Sequence, residues 1–467
     1  MNMLDLCGLP AHEMARLVRD RAVSAVELLD AHLARVDRDN HEVNAVVSAN
    51  FDIARAQAIA ADAAVAAGDA TAPLHGVPMT LKDGIDVAGL RSTVGTFELD
   101  RVPERDSTVA ARLRAAGAIV FGHSNVPPWL ADHQSANPVF GKTSNPWDLT
   151  RTSGGSSGGA AAAVAAGMSA LEVGSDLAGS IRIPAAFCGV YGLKTTEHRV
   201  PLTGFFFPAD AGPRSVRIIA ALGPIARSVD DIELALRVIA GPDGFDSDVS
   251  PVALSSEPPV ALDTLRVAVA PTFPGVTVSH AVQREIRRIA DHAANVGVRV
   301  EERLPAVDWN EQNELFAALI STITGVFAPF AELSDEQRTL AWYLTALDRR
   351  DRATAVWHEF FNGVDAVLCP ATATTAFTHR QPGEPFMIDG VSTAYGVHGG
   401  LHVFSSLCGL PALSMPVAFD ETGLPIAVQL IGAPWSEIHL IDIARAFEAA
   451  SITPGFRHPN PRPDARR

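Results

Sequence analysis

An α/β fold in a single large domain is the architecture this chain predicts, and three observations carry it. Short apolar runs with strand character alternate with longer amphipathic stretches of helical period. The 467 residues are 47% hydrophobic and 19% charged, a balance that supports a large folded core. No linker, low-complexity boundary or internal repeat divides them, so residues 1–467 read as one unit.

In chain order, Leu17, Val23, Val26, Leu28, Leu29, Leu33 and Val36 recur at helical spacing, which predicts helix from Ala11 to about Ala67. Strand-like pieces follow at Gly76 to Leu81, Ala118 to Phe121, Arg266 to Val269, Val298 to Val300 and Ala366 to Leu368. Helices such as Ser107 to Ala116 and Ser279 to Asn295 fall between them. Such alternation implies a sheet covered by helices on both faces. Beyond Pro454 the chain is rich in proline and arginine, as disordered ends are.

The formal charge of −16 and a pI near 5.4 argue against a nucleic-acid partner, which needs a basic face. Small neutral substrates remain compatible with it. Arg349-Arg350-Asp351-Arg352 reads as a solvated helix face. Cys7, Cys188, Cys369 and Cys408 are widely spaced and form no pair of zinc or disulfide type. The apolar stretch Ala160 to Leu171 is too short to span a membrane, and the N-terminal stretch has no signal-type core. These features predict a cytoplasmic protein without cofactor or metal.

The chemistry concentrates in three places. Lys82 ends the apolar run Val77-Pro-Met-Thr-Leu81 and precedes Asp83-Gly84, which reads as a turn after a buried strand. Ser156 lies in Arg151-Thr-Ser-Gly-Gly-Ser-Ser-Gly-Gly159, and Ser180 in Gly174-Ser-Asp-Leu-Ala-Gly-Ser-Ile-Arg-Ile-Pro184. A serine hydroxyl attacks an amide only with a base in reach, and a lysine serves as that base only when burial keeps it neutral. The backbone of Leu177, Ala178, Gly179 and Ser180, with its small side chains, offers N–H groups to a developing oxyanion.

Asn145-Pro-Trp-Asp148, Gly154-Gly-Ser-Ser-Gly-Gly159, an alanine-rich stretch, Gly174-Ser-Asp176, Gly179-Ser-Ile-Arg-Ile-Pro184, Phe187-Cys-Gly189 and Gly192-Leu-Lys194 follow in that order. In this order and spacing the chain resembles the amidase signature family of serine hydrolases. The resemblance extends to Val23-Ser-Ala-Val-Glu-Leu28 near the N-terminus and to Gly409-Leu-Pro-Ala412, Gly423-Leu-Pro-Ile426 and Gln429-Leu-Ile-Gly432 near the C-terminus. It implies a mixed, twisted sheet surrounded by helices, with a signature core at about 70–200, a substrate-determining segment at about 205–360 and C-terminal core strands and helix at about 365–450.

Carried over by position, the family's catalytic lysine falls on Lys82, its bridging serine on Ser156, after a cis Gly155–Ser156 bond, and its nucleophile on Ser180. Ser157, Asp176 and Arg182 are expected to support them, and Leu130 with its neighbours up to Gln134, together with Phe206, to border the substrate. Two departures stand out. Ala178 replaces a glycine common in the family, and Thr195-Thr196 replaces a Pro-Thr pair. The implied activity is hydrolysis of a small carboxamide or acylamide to an acid plus ammonia or amine, through an acyl-enzyme on Ser180. The alternatives are the glutaminase subunit of a tRNA-dependent amidotransferase and a non-catalytic binding protein on the same fold. Homodimers are common in the family.

Two residue classes stay open at this level. Phe205, Phe206, Phe207, Trp309, Phe316, Phe327, Phe330, Trp342, Tyr343, Trp357, Phe360 and Phe361 suit helix packing, while the consecutive Phe205 to Phe207 also suit a pocket wall. His75, His123, His133, His358, His379, His398 and His402 follow no metal-binding spacing.

Overall fold

The computed structural model describes residues 6–69, 72–207, 216, 218–254, 260–325 and 333–459. Two sheets form the frame. The smaller has three strands, β1 (Val46–Ala49), β2 (Pro78–Lys82) and β3 (Ile119–Ser124), in the order β1-β3-β2. β1 runs antiparallel to β3, and β2 parallel to it.

The larger sheet has eight strands: β4 (Leu171–Asp176), β5 (Tyr191–Lys194), β6 (Ala221–Ala226), β7 (Arg266–Val269), β8 (Arg299–Glu302), β9 (Ala366–Pro370), β10 (Ala412–Phe419) and β11 (Pro425–Ile431). Their spatial order is β8-β7-β9-β11-β10-β5-β6-β4. It is mixed, as expected. β8, β7 and β9 are parallel, and every pairing from β9–β11 to β6–β4 is antiparallel.

Helices surround both sheets, and the first stretch shows why each starts and stops where it does. The predicted helix from Ala11 to Ala67 is three helices, α1 (Ala11–Arg19), α2 (Ala25–Val43) and α3 (Phe51–Ala67), broken by β1. Ser24 and Glu27 form a reciprocal cap on α2, and Asn44, in left-handed conformation, ends it. Asn50 caps α3 and Gly68 closes it. Val46 and Ala49 pair with Ser124 and Gly122 of β3, so strand pairing overrides the helical bias of the segment.

The longer helices that follow are α4 (Thr108–Ala115), α5 (Gly158–Ala165), α6 (Arg182–Cys188), α7 (Val229–Ile239), α8 (His280–Asn295), α9 (Trp309–Thr324), α10 (Leu340–Phe361) and α11 (Glu437–Ala449), with two short ones at Val397–Gly400 and Val403–Leu407. Ser107 and Ser279, predicted as the first residues of α4 and α8, are their N-caps. α5 is buried on every side. Its glycine start is required, because a Cβ on Gly159 would lie 2.2 Å from the Asn125 amide nitrogen.

One buried hydrophobic cluster extends from Leu6 to Ile452. Trp357 stacks on Phe404, with Trp309, Phe360 and Phe361 around it, so these aromatics pack helices. Phe327, Phe330 and the tail beyond residue 459 lie outside the described residues. Arg350 departs from the predicted solvated face: it is half-buried, donating to the Leu407 carbonyl and paired with Glu197. Among the described residues no helix is long and apolar enough to cross a membrane.

Candidate active site

Lys82 is the last residue of β2, and the turn beyond it uses Gly84 at φ +101°. Its side chain is fully buried, with Nζ 2.7 Å from Ser156 Oγ and 2.8 Å from Ser175 Oγ. Burial pushes the ammonium down to about 7, against the pull of Asp176, Glu172 and Asp83. A neutral amine has two N–H donors and one lone pair, which suits two hydroxyl partners.

Ser156 reaches this position through close backbone packing. The Gly155–Ser156 bond is cis. A Cβ on Gly155 would approach the Asp132 carbonyl oxygen to 2.5 Å, so no other residue fits there without displacement. The Ser135 hydroxyl donates to the Ser156 carbonyl and accepts from Gly158 N–H at 2.9 Å. Ser157 N–H donates to the Ser180 carbonyl at 3.0 Å, tying the two serine clusters together.

The loop from β4 to α6 carries Ser180, and Asp176 organises it. Its carboxylate accepts from Gly179 N–H at 2.8 Å and Ile181 N–H at 3.1 Å, and pairs with Arg182 at 3.0 Å. Arg182 also donates to Ser405, Ser406 and Gln429, and both partners of the pair are fully buried. Burial alone would raise the Asp176 carboxyl, but the Arg182 guanidinium holds it well below the usual carboxylate range. The left-handed position in the loop is Gly179, at φ +98°, so Ala178 meets no backbone demand that needs glycine.

The four expected oxyanion donors are therefore not equivalent. Gly179 N–H is engaged by Asp176, whereas the amides of Leu177, Ala178 and Ser180 donate to no group among the described residues.

Ser156, Ser175 and Ser180 open onto one cavity of about 370 Å³. Its walls include Trp129, Leu130, Leu177, Ala178, Phe205, Phe206, Val216 and Ile320. Trp129, Leu130 and Phe206 all have φ between +57° and +69°, a region that side chains of this size rarely adopt. Strained backbone of this kind collects where side chains must be aimed at a site.

The structure thus brings together Lys82, Ser156, Ser180, Leu130 and Phe206, with Ser157, Asp176 and Arg182 behind them. Gln134 differs: it lies outside this lining, donating to the Tyr395 hydroxyl at 2.9 Å and the Arg380 carbonyl. Tyr395 in turn donates to Asp132 at 2.5 Å, and both line the cavity.

Sequence reasoning missed Ser175, Trp129 and Tyr395, while Asp132 falls within the stretch from Leu130 to Gln134 expected to border the substrate. Ser175 had a signal, since it neighbours Asp176 in the glycine-flanked Gly174-Ser-Asp176. Of the scattered histidines, His133 lines the cavity, and burial holds His133, His398 and His402 each below the usual histidine range. The His402 ring fills the space where a Gly179 Cβ would sit, 2.2 Å away. Among the described residues no three His, Cys, Asp or Glu side chains gather in a metal-binding arrangement.

A family model described as Amidase matches residues 27–328 and 326–441. The putative amidase AmiB2 of Mycobacterium tuberculosis is 35% identical over 468 residues, covering 96% of this chain and 98% of the relative. A glutamyl-tRNA(Gln) amidotransferase subunit of Moorella thermoacetica is 32% identical over 495 residues, covering 96% and 98%. Among solved structures, a bacterial aryl acylamidase of the amidase signature enzymes superposes with a TM-score of 0.79 at 25% identity, covering 95% of this chain and 96% of its own. On these matches and this fold, the chain belongs to the amidase signature family, whose members hydrolyse amide C–N bonds.

Proposed function

We propose that the protein hydrolyses small, uncharged carboxamides or acylamides to a carboxylic acid plus ammonia or amine, through an acyl-enzyme on Ser180. The observation that carries this reading is the 2.7 Å contact between Lys82 Nζ and Ser156 Oγ in a fully buried setting. As a free base, Lys82 takes the Ser156 proton while Ser156 takes that of Ser180, and Ser180 Oγ adds to the carbonyl carbon. The free amides of Leu177, Ala178 and Ser180 receive the oxyanion. Protons then return through Ser156 to the leaving nitrogen, and water attacks the acyl-enzyme by the same route.

Substrate choice follows from the walls. Phe205, Phe206, Ile320 and Thr324 come from the segment at about 205–360, which supports that segment as the specificity-determining part of a single catalytic unit. The glutaminase reading rests on similarity to the amidotransferase subunit of Moorella thermoacetica. Free glutamine brings an ammonium and a carboxylate, yet among the described residues the cavity lining contains one carboxylate, Asp132, tied to Tyr395, and no lysine or arginine. The apolar walls favour an amidase of uncharged substrates.

Two measurements test the proposal. A fluorophosphonate probe is expected to label Ser180 alone, and Lys82→Arg is expected to be as inactive as Lys82→Ala, because guanidinium keeps its proton. Labelling elsewhere, or a Lys82→Arg variant with most of the wild-type rate on an amide panel, rejects the mechanism. Strict glutamine dependence with a copurifying partner protein would favour the amidotransferase reading instead.

A further inference from the structure

Behind Lys82 the structure buries a second ionisable group that the mechanism above does not use. Glu172, on β4, has no exposed surface. Thr80, two residues before Lys82 on the same face of β2, donates to Glu172 Oε1 at 2.5 Å. Ser124 of β3, the register partner of Lys82, lies against the same carboxyl. Side chains of β2, β3 and β4 therefore meet around the Glu172 carboxyl close to the catalytic lysine.

We propose that Glu172 is a positioning residue that sets the protonation state of Lys82, holding a proton itself while Lys82 works as a free base. The inference rests on the reading of Lys82 as the base. The charged groups facing Lys82 are Asp176 and Glu172 from β4 and its neighbour Asp83. Asp176 is committed to Arg182, and Asp83 accepts from Ser92 and Thr93 and faces His123 at 4.0 Å. α5, which packs over β2 and β4, contributes only glycine, alanine and valine. Glu172 has the least support of the three: its Oε1 accepts from Thr80, its Oε2 has no hydrogen-bond partner among the described residues, and Lys82 is the cation that faces it.

A buried carboxylate with so little support takes up a proton, and burial pushes Glu172 up to about 8. In that neutral form it exerts no pull on the Lys82 proton. Ionised, it would hold that proton on Lys82 and silence the base. Glu172 and Lys82 thus form a pair in which the acid must stay neutral for the amine to stay neutral.

The test is the pH dependence of fluorophosphonate labelling at Ser180, measured for wild type, Glu172→Gln, Thr80→Val and Lys82→Ala. Glu172→Gln keeps the shape and removes the charge. Because Glu172 is already neutral in the acid limb, the variant is expected to leave that limb in place and to keep labelling above pH 8, where wild type loses it as Glu172 ionises and returns a proton to Lys82. Thr80→Val removes a donor that supports the ionised carboxyl, and is expected to move the alkaline loss of labelling to higher pH. Lys82→Ala is expected to abolish labelling throughout. If Lys82→Ala is dead while Glu172→Gln and Thr80→Val follow the wild-type profile above pH 8, Glu172 has no such role and the lysine mechanism stands. If Lys82→Ala labels normally, the lysine mechanism fails and this inference with it.

Thermal melting supplies a readout that needs no activity. Glu172 is raised from an ordinary value of 4.5 to about 8, so the native state retains a proton that the unfolded chain releases in that window. Wild type is expected to lose melting temperature relative to Glu172→Gln as pH rises from 4.5 to 8. A constant difference between the two would overturn the proposal.

Discussion

At the scale of single residues, Lys82 trades stability for chemistry. Its proton affinity falls from an ordinary 10.5 to about 7, so between those pH values the unfolded chain binds a proton that the native state does not. Stability contributed at this position therefore rises as pH increases from 7 to 10.5, and below 7 the full cost is present, on the order of 5 kcal/mol. Lys82→Met is accordingly expected to abolish turnover and raise the melting temperature by a few degrees at pH 7, with the gain shrinking toward pH 10. A melting temperature lower than wild type at pH 7 would show that Lys82 is not a buried neutral amine. Ser175 belongs to the same scale. Its Oγ is, with Ser156 Oγ, one of the two hydroxyl partners of Lys82 Nζ, so Ser175→Ala is expected to lower kcat by about 10–100-fold with KM little changed, from loss of one positioning hydrogen bond. Lys82, Ser156 and Ser180 were legible because each sits in a local motif. Ser175 stands in the motif Gly174-Ser-Asp176, yet its contact with Lys82 depends on β4 lying beside β2, a juxtaposition that the motif does not encode.

At the scale of elements, the loop between β4 and α6 is shaped by one carboxylate. Asp176 holds Gly179 and Ile181 by their amides and neutralises Arg182, whose other donors reach Ser405, Ser406 and Gln429. Replacing Asp176 by asparagine leaves a fully buried guanidinium without its counter-charge, which costs about 3–5 kcal/mol where a buried pair is broken. Asp176→Asn is expected to melt well below wild type and to react slowly with a fluorophosphonate even where it is folded, because Gly179 loses a charged acceptor. Unchanged melting would mean that the pair contributes nothing to the loop. The elements themselves were partly legible. β2, β3, β7, β8 and β9 fall within a few residues of the apolar runs that predicted them, and capping serines marked α4 and α8. β1 escaped notice because its four residues lie between two long helical patterns and gain their strand character from β3. Part of the cavity wall escaped as well. Trp129, Val216, Ile320 and Tyr395 come from four separate segments, and only folding brings them together.

At the scale of the whole molecule, acid should affect activity and folding in different pH windows, and histidines rather than carboxylates should govern the second. Lys82 takes up its proton as pH falls through about 7, so activity declines there first. The fold responds lower down. Burial holds His32, His133 and His398 neutral, lowering the first two to about 4 and the third to about 3. A histidine held neutral in the native state and free to charge in the unfolded chain gives stability that is complete above 6.5 and lost as pH falls toward 4. Each contributes on the order of 3 kcal/mol across that interval, so three together rival the roughly 5–15 kcal/mol that holds a typical domain. Asp176 acts later still, since a carboxyl held below its usual range loses its contribution only in stronger acid. Circular dichroism and amide turnover followed from pH 8 to 4 are expected to separate, with turnover lost near 7 and the fold lost between about 6 and 4. His32 lies far from the catalytic loop in sequence and bonds the Leu28 carbonyl within α2, so it isolates the folding term. His32→Gln is expected to shift the unfolding midpoint to lower pH while leaving the activity limb in place. Coincident loss of turnover and circular dichroism in wild type would instead tie the acid limb to unfolding and remove it as a report on Lys82.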